Sequence, residues 1–317
     1  MTRILFITST RIGDAVLSTG LIDHLYKTCP DAKFTIVCGK LPASLFTGVP
    51  GLEKLIVLQK KSFKRHWIEL WKEVAGTKWD IVVDLRNSAV SRLIRAKQKF
   101  IHGPHIDESL HKAEQNAQVM KLDTVPAPRL WLTPEQKNKA ATLVPDMVPV
   151  IGVGPTANWI GKTWPAERFI AVIEDLTKPG GFYPGAAVAV FAAPGEEIEA
   201  YKVLNSVHES RRINVIAKGD PGTAAAALAR CKFYIGNDSG LMHCAAAAGV
   251  PTFGLFGASY AHIYAPWGPH TAYARTPETF DELTNFPGYD PKTLDHTLMG
   301  TLTVQTVLDK IRDFHTR

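Results

Sequence analysis

The chain has 317 residues, 45% of them apolar, and a mean hydropathy of −0.03, values that fit a soluble globular protein with material for two ordinary domains. No apolar run approaches the ~18–20 residues needed to cross a bilayer, and Cys29, Cys38, Cys231 and Cys244 lack CxxC or metal-like spacing, so they read as reduced packing thiols of a cytosolic protein. The net charge of +6 is uneven: residues 1–148 hold 22 Lys and Arg against 14 Asp and Glu (+8), whereas 149–317 hold 14 against 16 (−2).

Residues 3–8 (RILFIT) read as a strand and not as a signal peptide, because the apolar run is short and polar residues follow it. Further strands are expected at 33–38, 55–58, 80–84 and 99–102, with helices at 13–28, 42–47, 63–76 and 87–96. Short apolar runs alternating with helices indicate a parallel sheet covered on both faces. Proline-rich 123–149, with one helix at 134–143, reads as a linker region. Two basic knots mark this half: Lys60, Lys61, Lys64 and Arg65, then Arg86, Arg92, Arg95, Lys97 and Lys99. They suit an acidic partner (anionic lipid, phosphorylated glycan or nucleic acid) or are solvated helix faces. No nucleic-acid-binding module surrounds either knot, so nucleic acid is the least favoured of these.

The pattern then restarts, with strands at 148–154, 186–191 and 213–217 and helices at 165–177, 195–208 and 222–230. The stretch 233–257 is the most informative. A strand, Phe233-Tyr234-Ile235, runs into a polar elbow, Asn237-Asp238-Ser239-Gly240. A small-residue helix at 241–248 follows, closed by Gly249 and Pro251, and then a strand at 252–256. A helix at 303–315 ends the pattern. The expected fold class is α/β, with two doubly wound Rossmann-like domains, 1–147 and 148–302, facing a cleft at the carboxyl ends of their strands. Helix 303–315 is expected to pack back on the first domain.

A helix opened by Ser239 and Gly240 offers free N–H groups and its positive dipole end to an anion such as phosphate. Asp238 would be repelled by a phosphate; it suits a hydroxylated group attached to one, such as a sugar, or serves as an N-cap. Asp14, in the first turn after the first strand, can take a proton from a substrate hydroxyl or complement the helix dipole. Loop 152–165 fails as a P-loop because Thr156 stands where glycine is needed, and as a dinucleotide fingerprint because its helix starts only near Pro165. It carries one cation, Lys162, suited to a diphosphate or simply exposed. Glu196 and Glu197 follow the next strand and can accept ribose hydroxyls or charge a helix start. No Asp-x-Asp pair and no metal-spaced cluster occurs, so protein groups would have to neutralise a departing diphosphate.

Gly13-Asp14, Lys162-Thr-Trp-Pro165, Gly195-Glu-Glu197 and Asn237-Asp-Ser-Gly-Leu-Met-His243, with Gly249-Val-Pro251, Leu255-Phe-Gly257 and Pro266-Trp-Gly268, stand in a family-specific order. Over nearly its whole length the chain resembles family 9 of the glycosyltransferases, the ADP-heptose:lipopolysaccharide heptosyltransferases. The resemblance implies a GT-B fold and an inverting, metal-independent enzyme. It implies transfer of a heptose or related sugar from ADP-heptose to a hydroxyl of the lipopolysaccharide inner core, with no cofactor beyond the nucleotide-sugar donor. It also implies a peripheral location on the cytoplasmic face of the inner membrane, an acidic glycolipid acceptor and no nucleic acid partner. By position, Asp14 resembles the catalytic base. Lys162 and the amides at Ser239 and Gly240 resemble the diphosphate site, with Thr156 in the donor-binding set. Asp238 resembles the ligand of the donor sugar, Glu196 or Glu197 that of the ribose, and His243 either faces this site or is a core histidine. Arg11, Lys61, Lys64 and Arg86 are the expected acceptor contacts.

Three features depart from the family. Thr8 stands where members often carry Lys or Arg, Gly219 where an apolar residue commonly lines the adenine, and 102–121 lacks a distinctive acceptor-loop match. The alternatives are another nucleotide-sugar or a protein acceptor, a nucleotide-sugar 2-epimerase, and a non-catalytic nucleotide-sugar-binding module.

Overall fold

Each half of the chain winds its apolar runs into a fully parallel sheet. The computed structural model describes residues 1–59, 65–146 and 148–316, in two units. Unit 1 is Met1–Thr133 with Asp220–Gly222; unit 2 is Pro134–Gly219 with Thr223–Arg317.

Unit 1 runs β1 (Arg3–Ile7), α1 (Ile12–Thr28), β2 (Lys33–Gly39), β3 (Leu52–Leu58), α2 (Arg65–Val74), β4 (Trp79–Asp84), α3 (Ala89–Leu93), β5 (Ala96–Ile101) and α4 (Lys112–Val119). Its five strands stand in the order β3-β2-β1-β4-β5. Successive β1 side chains point to opposite faces, so Ile4 and Phe6 join the core beneath α1 while Leu5 and Ile7 join the core beneath α2 and α3. That double burial explains why the strand reads as a continuous apolar run.

Unit 2 runs α5 (Pro134–Leu143), β6 (Val150–Gly154), α6 (Ala166–Thr177), β7 (Ala187–Ala192), α7 (Glu197–Ser206), β8 (Arg212–Ile216), α8 (Pro221–Leu228), β9 (Phe233–Asn237), α9 (Gly240–Ala247), β10 (Thr252–Phe256), α10 (Ala261–Tyr264), β11 (Thr271–Arg275), α11 (Phe280–Thr284) and α12 (Val304–His315). The strand order is β11-β10-β9-β6-β7-β8. One face packs Ile151, Val153, Val188, Val190, Phe233 and Ile235 against α6, α7 and α12. The other face is lined by strand glycines, and there a Cβ on Gly152 would meet Cys231 Sγ at 3.1 Å.

Several sequence expectations shift. The boundary moves from 147 to Thr133, because α5 buries Ala140, followed by buried Val144, and Arg230 pairs with Asp146 at 2.7 Å. Helix α12 does not return to the first domain: Val307, Leu308 and Ile311 lie in the unit 2 core, and Tyr183 Oη meets His315 Nε2 at 2.8 Å. The helix expected at 42–47 is a single 3-10 turn at 43–45. The one at 87–96 stops at Leu93, where Ile94 turns extended into β5. Within 102–121 lies α4, opened by a capping box in which His111 Nδ1 accepts from Ala113 N–H and Glu114 accepts from His111 N–H. Strand β11, paired in parallel with β10, adds to the expected strands.

The cysteines are free thiols, and burial pushes those of Cys38, Cys231 and Cys244 up to about 12, which suits packing. Among the described residues no helix is long and apolar enough to cross a membrane.

Candidate active site

In open parallel sheets ligands bind beyond the carboxyl ends of the strands, where the strand order reverses direction. In unit 2 that point lies between β6 and β9, and in unit 1 between β1 and β4. Most of the candidate residues are found at these two places.

In unit 2 the loop after β6 is pinned at Trp164. Its backbone N–H donates to Asn237 Oδ1 (3.1 Å), its Nε1 to the Leu302 carbonyl (2.8 Å), and its buried ring meets Phe169 edge-on at 5.1 Å. This anchoring brings Lys162 Nζ to within 2.6 Å of Asp238 Oδ2. The lysine side chain is 25% exposed and the carboxylate 8%, so the pair is sheltered but reachable from the lysine side. Asp238 is fixed through its own N–H, which donates to the Leu255 carbonyl of β10 (3.1 Å). Helix α9 begins two residues later, and its C-cap, Ala248, is followed by Gly249, whose φ of +80° suits glycine. Ser239 stands at the N-cap position without a capping side-chain bond. The amides that open α9 therefore remain as donors for a ligand. Asn237 Nδ2, also buried, has no hydrogen-bond partner among the described residues.

At the exit of the neighbouring strand β7 the two adjacent glutamates make different bonds. Thr156 Oγ1 donates to Glu196 Oε2 at 2.6 Å, joining the exits of β6 and β7. Glu197 folds onto its own turn, where the Gly195 N–H donates to both carboxylate oxygens at 3.0 Å and holds that carboxyl below the usual range. His243 is buried within α9 beside Met242 and Cys244.

In unit 1, Asp14 lies in the first turn of α1, half-buried, and accepts from Ser9 Oγ at 3.3 Å; that hydroxyl accepts in turn from the Arg11 N–H (3.1 Å). Thr8 is buried against Ser18, 2.8 Å between hydroxyls, and so belongs to the core. Arg11 is exposed at the N-cap. Arg86 leaves β4 over Asp84, which accepts from the Arg86 N–H (2.8 Å), the Ser88 N–H (2.8 Å) and Ser88 Oγ (2.6 Å). The Arg86 guanidinium rests 5.9 Å from the centre of the Trp67 ring. Because Asp84 is fully buried, Asp84→Ala is expected to cost about 3 kcal/mol by stranding those donors. Urea unfolding of the variant checks this, and an unchanged midpoint would contradict it. Lys61 and Lys64 lie outside the described residues.

The structure thus brings together Lys162 with Asp238 and Thr156 with Glu196, and sets Asp14 and Arg86 at the exits of paired strands β1 and β4. Among the described residues no group of three or more His, Cys, Asp or Glu side chains is gathered as a metal site.

Residues 104–282, more than half of the chain, match the model of glycosyltransferase family 9 (heptosyltransferase). The chain belongs to glycosyltransferase family 9. It is 23% identical to lipooligosaccharide heptosyltransferase 2 of Haemophilus influenzae, over 98% of this chain and 99% of that one. The solved glycosyl transferase family 9 structure from Veillonella parvula is 22% identical with a TM-score of 0.79, covering 99% of this chain and 97% of the other. Escherichia coli heptosyltransferase WaaC, solved with ADP, is 18% identical with a TM-score of 0.71, covering 99% of this chain and all of that one. WaaC has also been solved with ADP-2-deoxy-2-fluoro heptose. As a family 9 heptosyltransferase, the chain is an enzyme with the two-sheet α/β architecture of the GT-B glycosyltransferases. The sequence carries no signal for Ser9 or Asp84, which bond to the candidate residues Asp14 and Arg86.

Proposed function

We propose that this family 9 enzyme transfers a heptose from ADP-heptose to a hydroxyl of the lipopolysaccharide inner core, with inversion and without a metal ion. The observation that carries the reading is the sheltered Lys162–Asp238 pair beside the uncapped start of α9. The likeness to WaaC, solved with ADP and with a fluorinated ADP-heptose, supports the donor, and the lipooligosaccharide heptosyltransferase relative supports the acceptor.

In this mechanism Lys162, with the amides of Ser239 and Gly240, binds the diphosphate. An ammonium has three donors, so Lys162 serves a phosphate oxygen while still neutralising Asp238. The neutralised carboxylate can then accept sugar hydroxyls close to an anion that would otherwise repel it. Asp14 takes the acceptor hydroxyl proton as that oxygen attacks the anomeric carbon from the face opposite the diphosphate. The bond to the diphosphate oxygen breaks, ADP departs, and Lys162 and the α9 amides stabilise the charge it gains. Arg11 and Arg86 meet the acidic acceptor, which holds the enzyme at the cytoplasmic face of the inner membrane without spanning it.

Thermal-shift titration with ADP, UDP and GDP, followed by transfer assays with the matching sugars, tests the donor. The largest shift is expected from ADP; a larger shift from UDP or GDP would reassign it. Glu196 is proposed for the ribose, because its carboxylate bridges two strand exits whereas that of Glu197 is consumed by its own turn. Glu196→Gln is therefore expected to weaken ADP binding about 10-fold, a loss typical of one charge-assisted hydrogen bond. A larger loss in Glu197→Gln, measured by calorimetric titration, would reverse the assignment.

A further inference from the structure

We propose that Asn237 is a positioning residue of the donor site: its side-chain carbonyl ties the loop that carries Lys162 to the elbow that carries Asp238, and so sets the cation where a diphosphate meets it. The proposal rests on reading that elbow as the diphosphate site. Strands β6 and β9 pair as far as Gly154 and Gly236, so Asn237 stands one residue beyond their last paired rung. Residues 155–163 leave β6 as a loop, and Trp164 brings the chain back beside Asn237. Trp164 is buried and is followed by Pro165, the N-cap of α6, so its N–H needs an acceptor from outside that helix. Asn237 Oδ1 supplies it at 3.1 Å. The two bonded residues flank the ion pair. Lys162 lies two positions before Trp164 and Asp238 one after Asn237, with Nζ and Oδ2 2.6 Å apart.

Other ties of this loop lead elsewhere. The Leu298 N–H donates to the Gly161 carbonyl (3.2 Å), Thr297 Oγ1 to that of Thr163 (2.6 Å) and Trp164 Nε1 to that of Leu302 (2.8 Å), all binding the loop to segment 297–302. They give the loop its shape but leave its distance from the elbow open, and Asn237 sets that distance from the end of β9. Stability does not account for the residue. Its Nδ2 is buried with no hydrogen-bond partner among the described residues, and a stranded donor costs about as much as the bond at Oδ1 contributes. A lysine on an untethered loop would lose conformational entropy each time it reached a phosphate, and a loop already fixed removes that loss from binding.

The test uses the full-length chain carrying Asn237→Leu, which keeps the bulk of the side chain and removes the acceptor together with the stranded donor. Its melting temperature is expected to stay close to that of the unaltered chain. Lys162, followed by amine acylation and peptide mass spectrometry, is expected to react about 5-fold faster, the scale of one hydrogen bond lost from a local opening. The exposed Lys178 serves as the unchanged reference. ADP affinity, measured by calorimetric titration, is expected to fall about 10-fold in Asn237→Leu. Added to Lys162→Met, the same substitution should cost less than about 2-fold, because Asn237 acts through that lysine. A merely structural role predicts the same fall in both backgrounds. Asn237→Ala, smaller than asparagine, replaces the leucine variant if that chain does not fold, with the same expectations for acylation and binding. Unchanged acylation of Lys162, unchanged ADP affinity, or equal losses in both backgrounds overturns the proposal. If the unaltered chain binds none of ADP, UDP and GDP, the donor-site reading falls and the positioning role with it, while the acylation rates still report whether Asn237 holds the loop.

Discussion

Asp14→Asn is expected to slow sugar transfer by about 10²–10⁴-fold, the usual contribution of a positioned general base. Nucleotide binding should be untouched, because Asp14 lies in unit 1 and the donor residues in unit 2. The substitution keeps the shape of the side chain and its capacity to accept from Ser9 Oγ, so a folding defect is not expected. The split between the two readouts is the test: rate measured with saturating donor and acceptor, and ADP affinity measured separately. If Asp14 served only to complement the α1 dipole, the amide would cost a few tenths to about 1 kcal/mol of stability and leave the rate near normal. Turnover within 10-fold of the unaltered enzyme would therefore remove Asp14 from the chemistry.

The second large effect is expected at the Lys162–Asp238 pair. Lys162→Met leaves a carboxylate that is 8% exposed without its cation. Removing one member of a buried pair costs about 3–5 kcal/mol, and the 25% exposure of Lys162 puts this case near the lower end. At roughly 2–4 °C per kcal/mol for a unit of this size, melting should fall by about 6–12 °C. The double variant Lys162→Met/Asp238→Asn removes the stranded charge and should recover most of that loss. Transfer should not recover, because the cation that meets the departing diphosphate is still missing. Calorimetric melting and a transfer assay on the same three proteins separate the two roles. Equal melting temperatures for the single variant and the unaltered protein would show that the pair is not a sheltered one, and normal transfer by the double variant would show that it is not catalytic.

Most of the architecture was legible because it depends on local signals. Runs such as Ile4-Leu-Phe-Ile7, buried on both faces, announce parallel strands without knowledge of their neighbours. Elbow residues Asp238, Ser239 and Gly240 announce a strand passing into a helix. The misjudged segments lacked such signals. Helix α4 is short and polar on average and is held by a histidine cap, which is not among the usual N-cap residues. Residues 87–96 could continue as helix or turn into strand, and pairing of β5 with β4 decides for strand after Leu93.

The sequence by itself determined two successive α/β units and placed Asp14, Lys162, Glu196, Glu197 and Asp238 at strand exits, because strand period, glycine turns and helix-start chemistry are all read within a few residues. Only the tertiary structure decided that Lys162 meets Asp238 from 76 residues away and that Glu196 rather than Glu197 bridges to Thr156. It also decided that α12 belongs to unit 2 and that Tyr234 lies among Gly152, Gly154 and Gly236. The reason is physical. A local pattern fixes which side of an element is apolar or charged, but not which strand will lie beside it. Here β6 lies between β7 and β9, and that adjacency turns separate loops into one site.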